Sequence, residues 1–236
     1  MKRMVQPELL DTLPPGDPRA SRSRQDLRRV NAWMRHHEIM ADVLQKTPDH
    51  HAPGRITELG AGDGNFLLRV AQKIKRRQVS SRSVSFPVQA TLLDRQKIVT
   101  PETLAGFTAL GWQAEAVVTD VFDWPQISAA DEVVIANLFL HHFQAASLAK
   151  LLHLISLRTK LFIAIEPRRT PWTLFCSRLL WAIGCNAVTR HDAVVSVRAG
   201  FSGRELSAFW PDQQNWQLTE YCAGAFSHVF IARKIH

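Results

Sequence analysis

The stretch Glu58-Leu59-Gly60-Ala61-Gly62-Asp63-Gly64-Asn65 sets three glycines at alternate positions, directly after an acidic residue that closes an apolar run. Glycine takes positive φ without strain and carries no Cβ, so a chain written this way bends tightly and lets a ligand approach its backbone. The run from Arg55 to Leu59 reads as a short strand, and Asn65 to about Arg77 reads as a helix with Phe66, Val70 and Ile74 on one face. Several nucleotide folds share such a strand, turn and helix. A phosphate-cradling loop would end in Gly-Lys-Ser/Thr, which is missing, and a dinucleotide site of the GxGxxG type would need glycine where Asn65 stands. Glu58 would sit badly beside a pyrophosphate. A carboxylate there suits a cationic ligand instead.

Outward from this turn, short apolar strands alternate with helices. Residues 88–93 run into Asp94, 114–119 into Asp120, 132–136 into Asn137 and 161–165 into Glu166. Thr100-Pro101 begins a helix over about 100–109, and Leu148, Leu151, Leu152 and Ile155 mark another. The last two strand-like runs, Trp216 to Cys222 and Phe226 to Ala232, are split by Ala223-Gly224. The expected fold is α/β: a seven-stranded, mostly parallel, doubly wound sheet with a C-terminal antiparallel hairpin, N-terminal helices and a helical insertion after strand 5. In open α/β sheets ligands bind outside the carboxyl ends of the strands, so the polar strand ends converge on one crevice.

The remaining segments are read as follows. Residues 1–21, rich in proline and polar residues around DTLPPGDPRAS, are expected to form a flexible leader. Residues 22–50 read as one or two amphipathic helices stopped at Thr47-Pro48, and 51–236 as the main domain, with 167–200 as an inserted helical segment. Ser202-Gly203-Arg204-Glu205 matches a capping box.

The 236 residues are 46% apolar, as in an ordinary globular protein, and 29 basic against 21 acidic side chains leave a net charge of +8. Such a charge favours anionic partners or simply a soluble basic surface. Much of it is local, in Lys73, Lys75, Arg76, Arg77 and Arg82. Cys176, Cys185 and Cys222 are few, odd in number and unpaired in spacing, which points to a reducing, cytoplasmic compartment. The N-terminus lacks the apolar core of an export signal. The apolar segment 171–188 is broken by Arg178 and Asn186 and is too short to span a bilayer, though it suits a peripheral contact. No His/Cys/Asp set has ligand spacing, so no metal site is expected.

ELGAGDG resembles motif I of class I S-adenosylmethionine-dependent methyltransferases, whose pattern is an acidic residue, any residue, then GxGxG. The resemblance runs from about residue 55 to 234. It implies S-adenosylmethionine as cofactor, with Glu58, Gly60, Ala61, Gly62 and Gly64 around its amino-acid end and Asp94 on the ribose hydroxyls. Asp120 and Val121 would lie near the adenine and Asn137 under the methionine part. Taken alone, Asp94, Asp120 and Asn137 are equally compatible with loop capping. Asp94 also lies 34 positions beyond Gly60 where about 20 is usual, an excess that the basic stretch 75–87 accounts for.

Methyl transfer to oxygen needs alignment and a base, for which His141, His142 and His191, the last beside Asp192, are candidates. N6-adenine enzymes resemble one another in an Asn/Asp-Pro-Pro-aromatic motif, but here Asn137 precedes Leu138 and Phe139. NLFLHHF, EPRRTPW and VTRHDAVVSVRAGF look like small-molecule methyltransferases of the quinone-biosynthesis type. The resemblance implies that residues 22–50 act as a lid and 167–200 as a cap, placing a phenolic or lipophilic acceptor under Trp33, Met34, Trp172, Phe175, Leu179 and Trp181, with Arg168, Arg169 or Arg190 at the entrance. Two alternatives stay open: an RNA methyltransferase gripping phosphates through loop 75–87, and a non-catalytic cofactor-binding partner protein.

Overall fold

The computed structural model describes residues 1–14, 16–46, 54–81, 88–124 and 133–235, with side chains other than those of 78–81. The stop at Thr47-Pro48 and most of the basic loop, residues 82–87, lie outside the described residues. Strands β1 (Arg55–Leu59), β2 (Gln89–Asp94), β3 (Gln113–Val118), β4 (Val133–Asn137), β5 (Leu161–Pro167), β6 (Trp216–Ala223) and β7 (Ser227–Lys234) form one sheet in the order β3-β2-β1-β4-β5-β7-β6. The first five are parallel, and β7 runs antiparallel to both β5 and β6. The expected fold class is therefore observed, including the terminal hairpin.

The central strands are apolar on both faces because helices cover both. Ile56, Ile135, Ile163 and Ile165 point into a core shared with α3 (His36–Gln45) and α4 (Asn65–Ser81), through Met40, Leu44, Leu67 and Val70. Their alternating neighbours Leu59, Val134, Ala136, Phe162 and Ala164 pack on the other side against Leu148, Leu151, Leu152 and Ile155 of α6 (Ala145–Ser156). This alternation is the period-2 geometry of a strand. On the second face Phe162 stacks on Trp210 with ring centroids 5.7 Å apart and meets Phe230 edge-on at 6.1 Å.

Local chemistry sets the helix starts. Thr100 accepts from the Thr103 amide at the head of α5 (Pro101–Ala109), and Thr170 accepts from Thr173 at the head of α7 (Pro171–Arg178); each has proline in the first turn. Asn186 caps α8 (Ala187–Ala199). Only half of the expected capping box forms ahead of α9 (Glu205–Phe209). Glu205 accepts from the Ser202 amide, while the Ser202 hydroxyl accepts from Arg169 instead.

The N-terminal segment differs from expectation. The proposed leader is docked, and α2 (Pro18–Trp33) already starts at Pro18, capped by Asp17. The Met4 amide bonds to the Arg198 carbonyl, and the Arg3 guanidinium bonds to the carbonyls of Ala199 (2.7 Å) and Phe143 (2.9 Å) while lying 4.6 Å over the Phe201 ring. The short α1 (Leu9–Thr12) rests on the buried Asp192, whose two oxygens accept from the amides of Leu9 and Leu10. Residues 3–12 thus form a strap across the end of the domain.

Truncation of Phe162 to alanine removes the ring that both Trp210 and Phe230 rest on, and is expected to lower the unfolding free energy by about 3–5 kcal/mol. Urea denaturation followed by tryptophan fluorescence measures it. A loss below about 1 kcal/mol would show that this face of the core can collapse around the gap.

Candidate functional site

The order of strands reverses between β1 and β4, and the crevice at their carboxyl ends is where an open sheet binds ligands. The glycine turn lies there. Gly60, Gly62 and Gly64 have φ of 67°, 57° and 73°. A Cβ on Gly62 would meet nothing within 4 Å, so its backbone faces open space, whereas one on Gly60 would strike the Phe139 ring. The turn is braced from β2: the Ala61 amide bonds to the Leu93 carbonyl at 2.9 Å, and the Gly62 amide bonds to Asp94 Oδ2 at 2.8 Å. Asp94 Oδ1 accepts from the Gln96 amide, and Asp120 Oδ1 from the Phe122 amide. Both side chains therefore cap loops and also line the cavity.

That cavity holds about 1100 Å³ and is lined by Glu58, Gly60, Ala61, Gly62, Asp94, Asp120, Val121 and Asn137, among others. Of the cofactor residues singled out in the sequence, the structure thus brings all but Gly64 to one wall. Gly64 instead packs beneath, where an added Cβ would meet Leu92 at 2.7 Å. The decisive side chain is Glu58. It is 2% exposed and its Oε2 has no hydrogen-bond partner among the described residues. Burial raises its pKa well above the ordinary carboxylate value, and the nearby Asp63 and Asp94 reinforce the rise. A group with fixed positive charge beside it would offset both effects and favour the carboxylate. The donor set therefore fits a cofactor carrying an ammonium or sulfonium charge, with Gly62 exposed beside it.

Asn137 is held from the lid. His36, fully buried, places Nδ1 2.8 Å from Asn137 Oδ1 and Nε2 2.7 Å from the Ser227 hydroxyl. Burial lowers its pKa to about 4, so the ring is neutral; since Asn137 Oδ1 only accepts, Nδ1 carries the proton. The next residue, Leu138, has φ 53°, a left-handed backbone in a non-glycine residue, which turns the chain sharply beneath the cavity.

The histidines separate in role. His141 is buried with both ring nitrogens taken, Nδ1 by Glu166 at 2.7 Å and Nε2 by Glu8 at 3.1 Å. Burial opposes its protonation, but the hydrogen bonds to the two carboxylates outweigh it and raise the pKa to about 9. For Glu8, burial is likewise outweighed by His141, and its pKa falls to about 2. His141 is thus an imidazolium clamp, not a free base. His142 differs: it lines the cavity, is partly exposed, and has Nδ1 3.2 Å from Asp11 Oδ2. His191 is bonded to Asp192 at 2.9 Å but lies outside the cavity lining, with half its side chain exposed. Ligand atoms of Glu8, His141 and His142 lie within 4.8 Å of one another, but the imidazolium pairing accounts for that cluster.

The lid is also built differently from the one expected. Residues 5–11 of the strap and Arg24 to Ala32 of α2 roof the cavity, and Arg28 of α2 pairs with Asp63 across it. None of Trp33, Met34, Trp172, Phe175, Leu179 and Trp181 lines it, nor do Arg168, Arg169 or Arg190. The cause is Asp26, buried on the back of α2. It accepts from the Asn186 amide at 2.8 Å and the Thr189 hydroxyl at 3.3 Å, so the 167–200 segment packs behind α2 and contributes only Ser196 to the cavity. Arg169 is buried against the Gly200 carbonyl and Glu205. Sequence reasoning passed over Glu8, Asp11, Arg28, His36 and Glu166 as site residues. Glu166, closing a strand, carried a visible signal, whereas Glu8 and Asp11 had none.

No protein-family model matches the chain, and no curated protein is similar to it in sequence. Solved structures share its fold. The plantazolicin methyltransferase BpumL in complex with SAH superposes with a TM-score of 0.66 at 12% identity, over 93% of this chain and 92% of that one. An O-methyltransferase family protein from Burkholderia thailandensis (TM-score 0.58, 16% identity, 93% and 60% of the chains) and the pyocyanin biosynthetic protein PhzM (0.58, 14%, 93% and 60%) are also similar. The chain therefore has the fold of class I S-adenosylmethionine-dependent methyltransferases.

The Glu8–His141–Glu166 clamp makes stability depend on pH. The raised histidine contributes fully below its unfolded value of 6.5, and that contribution is lost as pH rises through about 9. Lowered Glu8 contributes fully above 4.5 and is lost as pH falls towards 2. Stability from this clamp is therefore greatest between these limits and is expected to decline from pH 6.5 to 9 by on the order of 1–3 kcal/mol. Urea unfolding at several pH values tests this in the wild type and Glu8→Gln, where a shallower decline is expected; equal slopes would show that Glu8 does not hold His141.

Proposed function

We propose that the protein is an S-adenosylmethionine-dependent O-methyltransferase acting on a small, lipophilic or phenolic acceptor. The observation that carries this reading is that one cavity contains both Glu58, whose Oε2 has no hydrogen-bond partner among the described residues, beside the open Gly62 turn and the Asp11–His142 pair. The fold shared with methyltransferases supports it. S-adenosylmethionine, when bound, supplies an electrophilic methyl group. Glu58 would hold its positive amino-acid end and Gly60 and Gly62 would allow backbone approach, with Asp94 at the sugar, Asp120 and Val121 at the base and Asn137 beneath the methionine part.

His142 then takes the proton of the acceptor hydroxyl as that oxygen accepts the methyl group. The Asp11 carboxylate, 3.2 Å from Nδ1, favours the imidazolium that forms and would leave Nε2 to take the proton. Phe139, Phe143, Leu10 and Leu27 supply apolar wall, and the strap and α2 restrict access of water. An RNA acceptor has less support, because Arg77 of the basic stretch is engaged by Asp42 and Gln45 of α3.

Release of S-adenosylhomocysteine with a panel of phenols and hydroxyquinones tests the reading. His142→Ala is expected to lower kcat by about 10²–10⁴-fold while cofactor affinity is retained. Asp11→Asn should give a smaller loss and shift the pH profile. Full turnover in His142→Ala would remove His142 as base, and turnover with no acceptor of this class would remove the acceptor assignment.

A further inference from the structure

The aromatic residues that do not roof the cavity are gathered on an outer face. Of thirteen large apolar side chains exposed among the described residues, six belong to it: Trp33, Trp172, Phe175, Leu179, Trp181 and Ile183, with Trp33 66% and Trp181 61% exposed. They come from α2, α7 and the turn 180–183, and hydrogen bonds tie these elements together. Trp172 stacks on Phe175 with centroids 5.9 Å apart. The Thr173 hydroxyl donates to the Ala225 carbonyl at 3.3 Å, and the adjoining Phe226 meets Trp33 at 5.2 Å. From one turn before Trp33, Arg29 donates to the Ile183 carbonyl at 2.9 Å. Several tryptophans brought together by such contacts and left in water are unusual for a protein surface.

Charge chooses the occupant. Residues 167–191 contain Arg168, Arg169, Arg178 and Arg190 and no acidic residue. Arg35, Arg178 and Arg190 are exposed, while the buried Asp26 accepts from the Asn186 amide and pairs with Arg22 and Arg29, and the buried Asp192 accepts from the Leu9 and Leu10 amides and pairs with His191. A short helix presenting tryptophan and phenylalanine among arginines matches the chemistry of a bilayer interface, where indole rings sit at headgroup depth and arginine meets phosphate. No described helix is long and apolar enough to cross a membrane, so the contact is peripheral. We propose that this face docks the protein onto the surface of an anionic lipid bilayer. It stands apart from the methyl-transfer reading, because none of the six residues lines the cavity.

Cosedimentation with vesicles of phosphatidylglycerol and phosphatidylcholine, against phosphatidylcholine alone, tests this. The wild type is expected to bind the anionic vesicles, less as salt rises, and lipids brominated in the acyl chains are expected to quench its tryptophan fluorescence. A variant with Trp172→Ser, Phe175→Ser and Trp181→Ser should bind at least about tenfold more weakly with an unchanged circular dichroism spectrum; Arg178→Glu should weaken binding selectively on the anionic vesicles. Equal sedimentation of wild type and triple variant would overturn the proposal. So would absence of vesicle binding together with a wild-type dimer that the triple variant abolishes in sedimentation velocity, which would make the face an interface between copies.

Discussion

A buried carboxylate oxygen with no hydrogen-bond partner among the described residues lies in a central strand of this molecule. Glu58 sits in β1, between two parallel neighbours, with Asp63 and Asp94 close by and Oε2 unpaired. Burying a lone charge is costly, so burial here pushes the Glu58 pKa up. The sheet holds the residue there because β1 pairs with both β2 and β4, and the chain cannot retreat without breaking both ladders.

Other buried carboxylates show what the protein does when an acid is structural. Glu166 accepts from the amides of Phe139 and Leu140 and from His141; Asp192 accepts from Leu9 and Leu10; Glu220 accepts from Leu206 and Ser207 and pairs with His228. Each fastens a turn or a segment end that the sheet does not reach. Through Glu166 and Asp192 the strap is fixed, and the strap in turn brings Glu8 and Asp11 to the histidines. Fold and candidate site are thus linked by hydrogen bonds to acids, and Glu58 stands out because its Oε2 joins no such bond among the described residues.

What was legible in the sequence was local. The glycine turn and the Thr-Pro helix start are encoded within a few residues and appear where expected; Asp94 and Asn137 close their strands, whereas Asp120 follows β3 by two residues and Glu166 lies one residue before the end of β5. The strap was not legible, because the docking of residues 3–12 rests on partners between about 130 and 200 positions away in the chain, and prolines and charges at a terminus look the same whether docked or free. His142 was visible as a candidate, but its distinction from His141 depends on which carboxylates the fold delivers. The aromatic run 172–183 was correctly seen as apolar and placed on the wrong side of α2. Hydrophobicity alone does not tell a lid from an outer face, and the buried Asp26 that decides between them reads as one more charge in a polar helix.

The most direct test of the central claim is calorimetric titration of S-adenosylmethionine in two buffers of different ionisation enthalpy, with wild type and Glu58→Gln. If Glu58 is held protonated until a cationic ligand arrives, wild-type binding releases a proton and its observed heat depends on the buffer. Glu58→Gln should then bind at least about tenfold more weakly with no such dependence. Equal affinity and equal buffer dependence in the two proteins would contradict the account.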